Sequence, residues 1–227
     1  MTDPTLTRPL RRRVFLQVCG ATAAGVVIAG CGNDDDGDGA AGETATTQEQ
    51  ADVTLDFSRV AGVLNYAYAL EQLEAAFYTQ ARETVTKPTE SEYGRVIDAL
   101  KGHEIAHREF FKQVLGDDAV GALEVNFSKI DFDDQENVLE VASTFENLGV
   151  GAYNGAAKYL ARMGKDAAVP LMAAGDIVAV EARHASVIND LAGMSFAPEA
   201  FDDALEPAAV LEAAAPFLKT SVRVINA

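Results

Sequence analysis

The chain has 227 residues, of which 48% are hydrophobic, so it is long enough for one domain with a sizeable core and some accessory segments. Its formal net charge of −17 argues against nucleic acid as a partner, because phosphate binding requires basic patches. An acidic surface of this kind is typical of a highly soluble protein.

The N-terminal segment has the composition of an export signal. Basic side chains at positions 8 and 11–13 precede an apolar stretch, residues 14–28, that is short for a membrane-spanning helix. The sequence Arg12-Arg13-Val14-Phe15-Leu16 resembles a twin-arginine export signal. We therefore expect residues 1–30 to be a twin-arginine-like signal, with the ordinary secretory route as the alternative.

The signal ends at a cysteine that predicts a lipid anchor. The sequence Ile28-Ala29-Gly30-Cys31 resembles a bacterial lipobox, in which the cysteine becomes the lipidated first residue of the mature chain. We expect the protein to be held on the periplasmic or extracellular face of a membrane by a lipid on Cys31. The other cysteine, Cys19, lies in the signal, so the mature chain would have neither a disulfide nor a thiolate metal site.

A linker follows the lipobox. Residues 32–52 are rich in Gly, Asp, Thr and Ala and include the acidic run Asp34-Asp35-Asp36. Such a composition cannot bury enough apolar surface to fold. We expect residues 31–55 to be a disordered tether between the lipid and the folded domain.

From about residue 56 the hydrophobic pattern has helical periodicity. Thr89 and Glu92 predict a capping box at the start of the second helix. Short connections make helices one and two, and helices three and four, antiparallel neighbours, whereas the connection between helices two and three is long. We expect an all-α fold with four helices near 56–85, 89–115, 133–164 and 166–192. This four-helix bundle would occupy residues 56–193, and an extension at 194–227 would contain a short helix near 207–218.

Carboxylates and imidazoles recur on these helices at a regular spacing. Two of the three histidines follow a glutamate by three residues, which places both groups on one helical face. Helices one and three each carry a glutamate followed seven residues later by a tyrosine. The two halves of the chain therefore repeat one pattern, formed by Glu71, Tyr78, Glu104 and His107 and then by Glu146, Tyr153, Glu181 and His184.

The spacing also predicts that these groups lie at one height in the bundle. Residues 71 and 104 are about equally distant from Pro88, and residues 146 and 181 from Gly164, so each pair meets across its own turn. Four carboxylates in an apolar core repel one another and lose hydration, and two divalent cations relieve both costs. Oxygen-rich ligands with two imidazoles suit iron or manganese, with zinc as a further option.

Four stretches of the chain, residues 70–78, 103–107, 145–153 and 181–185, resemble those of the ferritin-like superfamily. The resemblance covers about residues 56–218 and extends more narrowly to exported ferritin-like proteins related to plant desiccation-associated proteins. It implies a ferritin-like four-helix bundle with a di-metal centre of the rubrerythrin or bacterioferritin type. In that pattern the first ion is held by Glu71 and His107, the second by Glu146 and His184, and the bridges are Glu104 and Glu181.

Three further side chains have two interpretations each. Glu74 follows Glu71 by three residues, and Gly149 takes its place in the other half. Rubrerythrins, similar in pattern, carry an extra glutamate at such a position, so Glu74 is either a seventh, mobile ligand or a supporting or solvent-facing glutamate. Tyr78 and Tyr153 either serve the site, by hydrogen-bonding ligand carboxylates or carrying an electron, or are ordinary core aromatics.

Three functions remain open from the sequence. The first is redox chemistry with oxygen or peroxide, as a ferroxidase, peroxidase or catalase-like enzyme, whose partners would be a small oxidant or metal ions. The second is a non-enzymatic stress or desiccation protein with a vestigial site. The third is a zinc protease, because His103-Glu104-Ile105-Ala106-His107 fits the HExxH motif with Glu104 as the base and Glu124 as the nearest third ligand. The oligomeric state stays open, a dimer included.

Overall fold

The computed structural model of the protein describes residues 51–85 and 90–227. The predicted export signal, the lipid on Cys31, and the tether up to residue 50 lie outside the described residues. Within the described part of the chain, no helix combines the length and the apolar character needed to cross a bilayer.

Four long helices make up the bundle, and the predicted fold is confirmed. They are α1 (Val60–Thr84), α2 (Glu92–Leu115), α3 (Gln135–Arg162) and α4 (Ala168–Leu191), and a short helix, α5 (Pro207–Ala214), follows them. Helix α1 packs along α2 and helix α3 along α4, as short connections require. Helix α1 also packs on α3, whereas α2 and α4 touch only sparsely.

The helix ends follow local capping chemistry. The Ser91 hydroxyl accepts a hydrogen bond from the Gly94 amide at 2.9 Å, so Ser91 caps α2 and the prediction of Thr89 as its cap is wrong. Asp134 caps α3 in the same way. Helices α2 and α4 stop as predicted at Gly116 and Gly193, whose φ angles of 55° and 73° are ones that glycine adopts without strain.

The long crossover, residues 116–134, lies along α1 and is fastened to it by two side-chain amides. Asn65 donates to the Asp118 carbonyl and accepts from the Val120 amide, both at 2.8 Å. Two helical turns further along α1, the side-chain oxygen of Gln72 accepts a hydrogen bond from the Leu123 amide at 3.0 Å. Both amides are buried, and their pairing with the crossover backbone removes the cost of burying them unbonded.

Two short strands close the domain and were not predicted. Strand β1 (Val53–Asp56) pairs in parallel with β2 (Val222–Ile225), with Val53 opposite Val222 and Asp56 opposite Ile225. The tether was expected to reach residue 55, but residues 53–55 belong to β1, and Leu55 is buried in the core. A four-residue strand with one core side chain leaves too little alternation to be recognised in a sequence.

The C-terminal extension packs against α3 at a pair of glycines. The Leu205 amide donates to the Gly151 carbonyl at 2.9 Å, and a Cβ atom added at Gly155 would lie 1.7 Å from the Leu205 carbonyl oxygen. Beyond this contact, Val210, Leu211 and Ala214 of α5 join the main core. The extension is therefore an integral part of the domain.

Candidate metal centre

Six of the predicted side chains come together in the middle of the bundle, from all four long helices. The four glutamates have no exposed surface, and the side chains of His107 and His184 are 14% and 4% exposed. Their potential ligand atoms form two groups, each within 4.8 Å. One group consists of Glu71, Glu104, His107 and Glu181, and the other of Glu104, Glu146, Glu181 and His184.

The two imidazoles occupy equivalent places in these groups. His107 Nδ1 lies 2.9 Å from Glu181 Oε1 and 3.4 Å from Glu71 Oε2. His184 Nδ1 lies 2.9 Å from Glu104 Oε1 and 3.5 Å from Glu146 Oε2. Each imidazole thus faces two glutamates. One belongs to both groups and comes from the opposite half of the chain, and the other lies on the helix paired with that of the histidine.

The two tyrosines orient the unshared glutamates across the halves. The Tyr78 hydroxyl, on α1, donates to Glu146 Oε1 on α3 at 2.6 Å. The Tyr153 hydroxyl, on α3, donates in the same way to Glu71 Oε1 on α1. Each tyrosine binds one carboxylate oxygen, and the other oxygen, Oε2, is left facing the centre of the bundle.

Buried polar atoms without a hydrogen-bond partner are concentrated at this centre. Apart from the Tyr66 hydroxyl, every such side-chain atom in the described part of the chain belongs to the six residues. They are Glu71 Oε2, both oxygens of Glu104, Glu146 Oε2, both oxygens of Glu181, and Nδ1 of His107 and of His184. Leaving such atoms unsatisfied is costly, and six oxygens with two imidazole nitrogens form a donor set that fits divalent metal ions.

Protons balance the charges of this cluster when no cation is present. Burial and the neighbouring carboxylates raise the pKa of Glu71 well above its usual range and that of Glu146 to about 8. Burial opposes the charged form of His107 and His184, but ion pairing with the nearby glutamates outweighs it and raises each pKa to about 12. The same ion pairs with the imidazoles overcome burial at Glu104 and lower its pKa to about 2.

Glu74 lies beside the centre but belongs to neither group. It is only 3% exposed, so the solvent-facing interpretation is wrong. A Cβ atom at Gly149 would come within 3.2 Å of Glu74 Oε1, so the glycine leaves room for this extra carboxylate. Burial and the other glutamates raise the pKa of Glu74 well above its ordinary value.

His103 makes a contact that the sequence did not reveal. Its Nδ1 lies 2.8 Å from His184 Nε2, and the two rings are nearly coplanar, with 16° between their planes and 5.1 Å between their centroids. His184 therefore faces the glutamates with one nitrogen and His103 with the other. The HExxH motif would make His103 a zinc ligand, and outside such a site we expected it on the helix surface or behind the ligands.

The structure does not assemble the predicted zinc-protease site. Neither His103 nor Glu124 belongs to the two ligand groups found among the described residues. Glu124 is exposed, and its backbone is hydrogen-bonded to Lys219 and Thr220 at the C-terminal end of the domain. The match to the HExxH motif therefore has another explanation. Glu104 and His107 face the centre, and His103 lies at its edge.

A buried carboxylate–histidine cluster shared by four helices defines a class of helical bundle able to hold metal ions in its core. The family model of the ferritin-like domain matches residues 59–194, and the chain belongs to this family. The search of curated proteins finds no relative that matches the chain. The narrower relation to desiccation-associated proteins stays a prediction.

Proposed function

We propose that the protein binds two metal ions, iron or manganese, and uses them in redox chemistry with oxygen or peroxide. The observation that carries this proposal is the pair of ligand groups that overlap in two glutamates. Two overlapping groups suit two neighbouring cations, because a shared carboxylate can bridge them and offset their mutual repulsion.

The six side chains divide between the two ions as follows. Glu71 and His107 would hold one ion, Glu146 and His184 the other, and the shared residues Glu104 and Glu181 would bridge them. The bound pair would supply reversible electron exchange and a Lewis acid toward the oxidant. Mixed carboxylate and imidazole ligation favours iron or manganese over calcium or magnesium.

The remaining residues of the centre orient the ligand carboxylates or add a further one. Tyr78 and Tyr153 hold one oxygen of each unshared glutamate and so direct the second oxygen inward. Glu74, buried within reach of the centre, supplies an additional carboxylate that can rotate toward an ion. The apolar core around them limits the access of water to the cluster.

Metal analysis of the full chain, produced in its own host, tests the proposal. We expect about two iron or manganese ions per chain and consumption of added peroxide, and at least a tenfold loss of both in Glu104→Gln. Glu109→Gln, an exposed carboxylate on the same helix, is the matched control and should change neither. Zinc alone, or no metal, would remove the redox function, and metal without turnover would favour a non-enzymatic protective role.

We further infer that the protein is exported and held on a membrane by a lipid on Cys31. The order of basic region, apolar region and lipobox supports this inference. Twin-arginine export carries folded proteins and would fit a metal centre assembled before export. Cys31→Ser should release the protein from the membrane fraction, and a wild-type protein that is already free of membranes would contradict the anchor.

A further inference from the structure

A groove between α2 and α4 reaches the imidazole side of the metal centre. Its volume is about 630 Å³, within the range of small-molecule binding pockets. The groove exists because α2 and α4 touch only sparsely, and the rings of His103, His107 and His184 contribute to its lining. The glutamates of the centre have no exposed surface, so this groove is where the cluster meets the solvent.

The walls of the groove are apolar. Short aliphatic side chains on both helices form them, and several of these side chains are partly or fully exposed to solvent in the described structure. These wall residues are Val96, Ala99, Leu100, Ala106, Val180 and Val187. A surface of this composition favours the apolar part of a ligand, because covering it removes apolar area from water.

Two arginines give the groove a positive charge. Arg95 and Arg183 line it, both are exposed, and neither forms an ion pair with a carboxylate in the described part of the chain. Guanidinium groups without a carboxylate partner among the described residues stand out in a protein with a net charge of −17, and a guanidinium is well suited to bind a carboxylate or phosphate. Glu92 is the only acidic residue of the lining.

The spacing of these features defines the shape of a ligand. Arg95 precedes His103 by eight residues on α2, which corresponds to about 12 Å along the helix. An anion bound at Arg95 would therefore extend an apolar body past Ala99 to the imidazoles.

We propose that the groove binds a small organic anion with an apolar body, such as an aliphatic monocarboxylate. A second copy of the chain is a weaker candidate for the same surface, because each copy carries a charge of −17. Binding in the groove does not require a metal ion and so goes beyond the proposed function.

Calorimetric titration of the full chain with octanoate and decanoate tests the inference. We expect one binding site per chain, and about fourfold tighter binding for each added methylene group. Arg95→Gln should weaken binding of decanoate about fivefold or more, because it removes the charged hydrogen-bond donor at the carboxylate, whereas Arg183→Gln, next to His184 at the other end of the groove, should weaken it less. Lys112→Gln, which removes a positive charge from the same helix outside the groove, should leave the affinity unchanged.

A second variant keeps the result interpretable. Ala99→Trp, at an exposed wall position, should block binding of decanoate while leaving the thermal unfolding transition in place. Equal affinity for decylammonium, or unchanged binding of decanoate to Ala99→Trp, would overturn the inference, as would a dimer that Ala99→Trp dissociates. Metal content is measured in parallel. Binding of decanoate by a chain that holds no metal would support the proposed anion site in the groove and contradict only the proposed metal centre.

Discussion

Tyr78 and Tyr153 show how single side chains prepare a site for metal. Each phenol occupies one oxygen of a buried glutamate, and the remaining oxygen can only point toward the centre. The sequence indicated that these residues recur in both halves, but it left their role open. The packing of α1 against α3 decides which glutamate each tyrosine binds, and this packing cannot be predicted from a local sequence pattern.

Replacement of either tyrosine tests this arrangement. Tyr78→Phe leaves Glu146 Oε1 buried without its donor, and Tyr153→Phe does the same to Glu71 Oε1. We expect each change to lower the free energy of unfolding by about 1–3 kcal/mol, measured by urea denaturation. Tyr66→Phe is the matched control, because the Tyr66 hydroxyl has no hydrogen-bond partner among the described residues, and its removal should not destabilise the protein.

His103 is expected to act as a positioning residue for His184. With Nδ1 of His184 facing the carboxylates, its Nε2–H can donate a hydrogen bond to Nδ1 of His103. Loss of such a partner weakens a metal ligand by about 10–100-fold. His103→Leu should therefore weaken one of two metal-binding steps in a titration followed by calorimetry.

A conservative variant separates positioning from folding. His103→Asn keeps an acceptor near the position of Nδ1 and should restore most of the affinity that His103→Leu loses. Equal metal affinity in wild type and His103→Leu would show that the contact between the two imidazoles has no role in holding the ion.

The long helices were predictable because each repeats its hydrophobic pattern over many turns. Their boundaries moved by a few residues, and the first helix starts at Val60 rather than near 56, because residues 53–56 pair as a strand. Elements of four residues carry no comparable signal. The path of the crossover was also not predictable, since it depends on hydrogen bonds from Asn65 and Gln72 to distant backbone atoms.

The contact between α3 and the C-terminal extension makes a prediction at the scale of elements. Gly155→Ala places a methyl group into the backbone of Leu205, which cannot move aside as a flexible side chain would. We expect the extension to detach locally, with a loss of about 2 kcal/mol or more in stability and faster proteolysis after α4. Gly102→Ala, on an open helical surface, serves as the control and should be neutral or slightly stabilising.

For the molecule as a whole, the repeated pattern in the two halves was enough to predict the six residues that converge. The equal distances of these residues from the two turns predicted that they lie at one height. The antiparallel pairing of the helices predicted that the members of each pair face each other. The groove and the contact between His103 and His184 could not be predicted in this way. Both depend on how far α2 stands from α4, and the sequence contains no measure of that separation.

The protonation of the centre predicts how the stability of the metal-free protein depends on pH. Glu146, His107 and His184 have folded-state pKa values of about 8, 12 and 12, above their ordinary values of 4.5 and 6.5. Between pH 6.5 and 8 the folded state therefore binds more protons than the unfolded state. Its stability should fall as the pH rises, by about 1.4 kcal/mol per pH unit for each such proton.

Thermal unfolding in the presence of a chelator measures this dependence. We expect a lower Tm at pH 8 than at pH 6.5, and a smaller difference in Glu146→Gln, whose side chain cannot ionise. Added manganese should reverse the trend, because a cation competes with these protons and binds more tightly as they leave. A chelated protein whose Tm is the same at both pH values would contradict the charge balance described above.

The parallel pairing of β1 with β2 brings the two boundaries of the folded domain to one corner. Val53 and Ile225 lie one short strand apart, about 10 Å. Such a domain can be inserted into a surface loop of a host protein without forcing the host apart. It should also tolerate circular permutation, with residue 53 joined to residue 225 through a short linker and new ends opened within the crossover at the exposed residues Ser128 and Lys129.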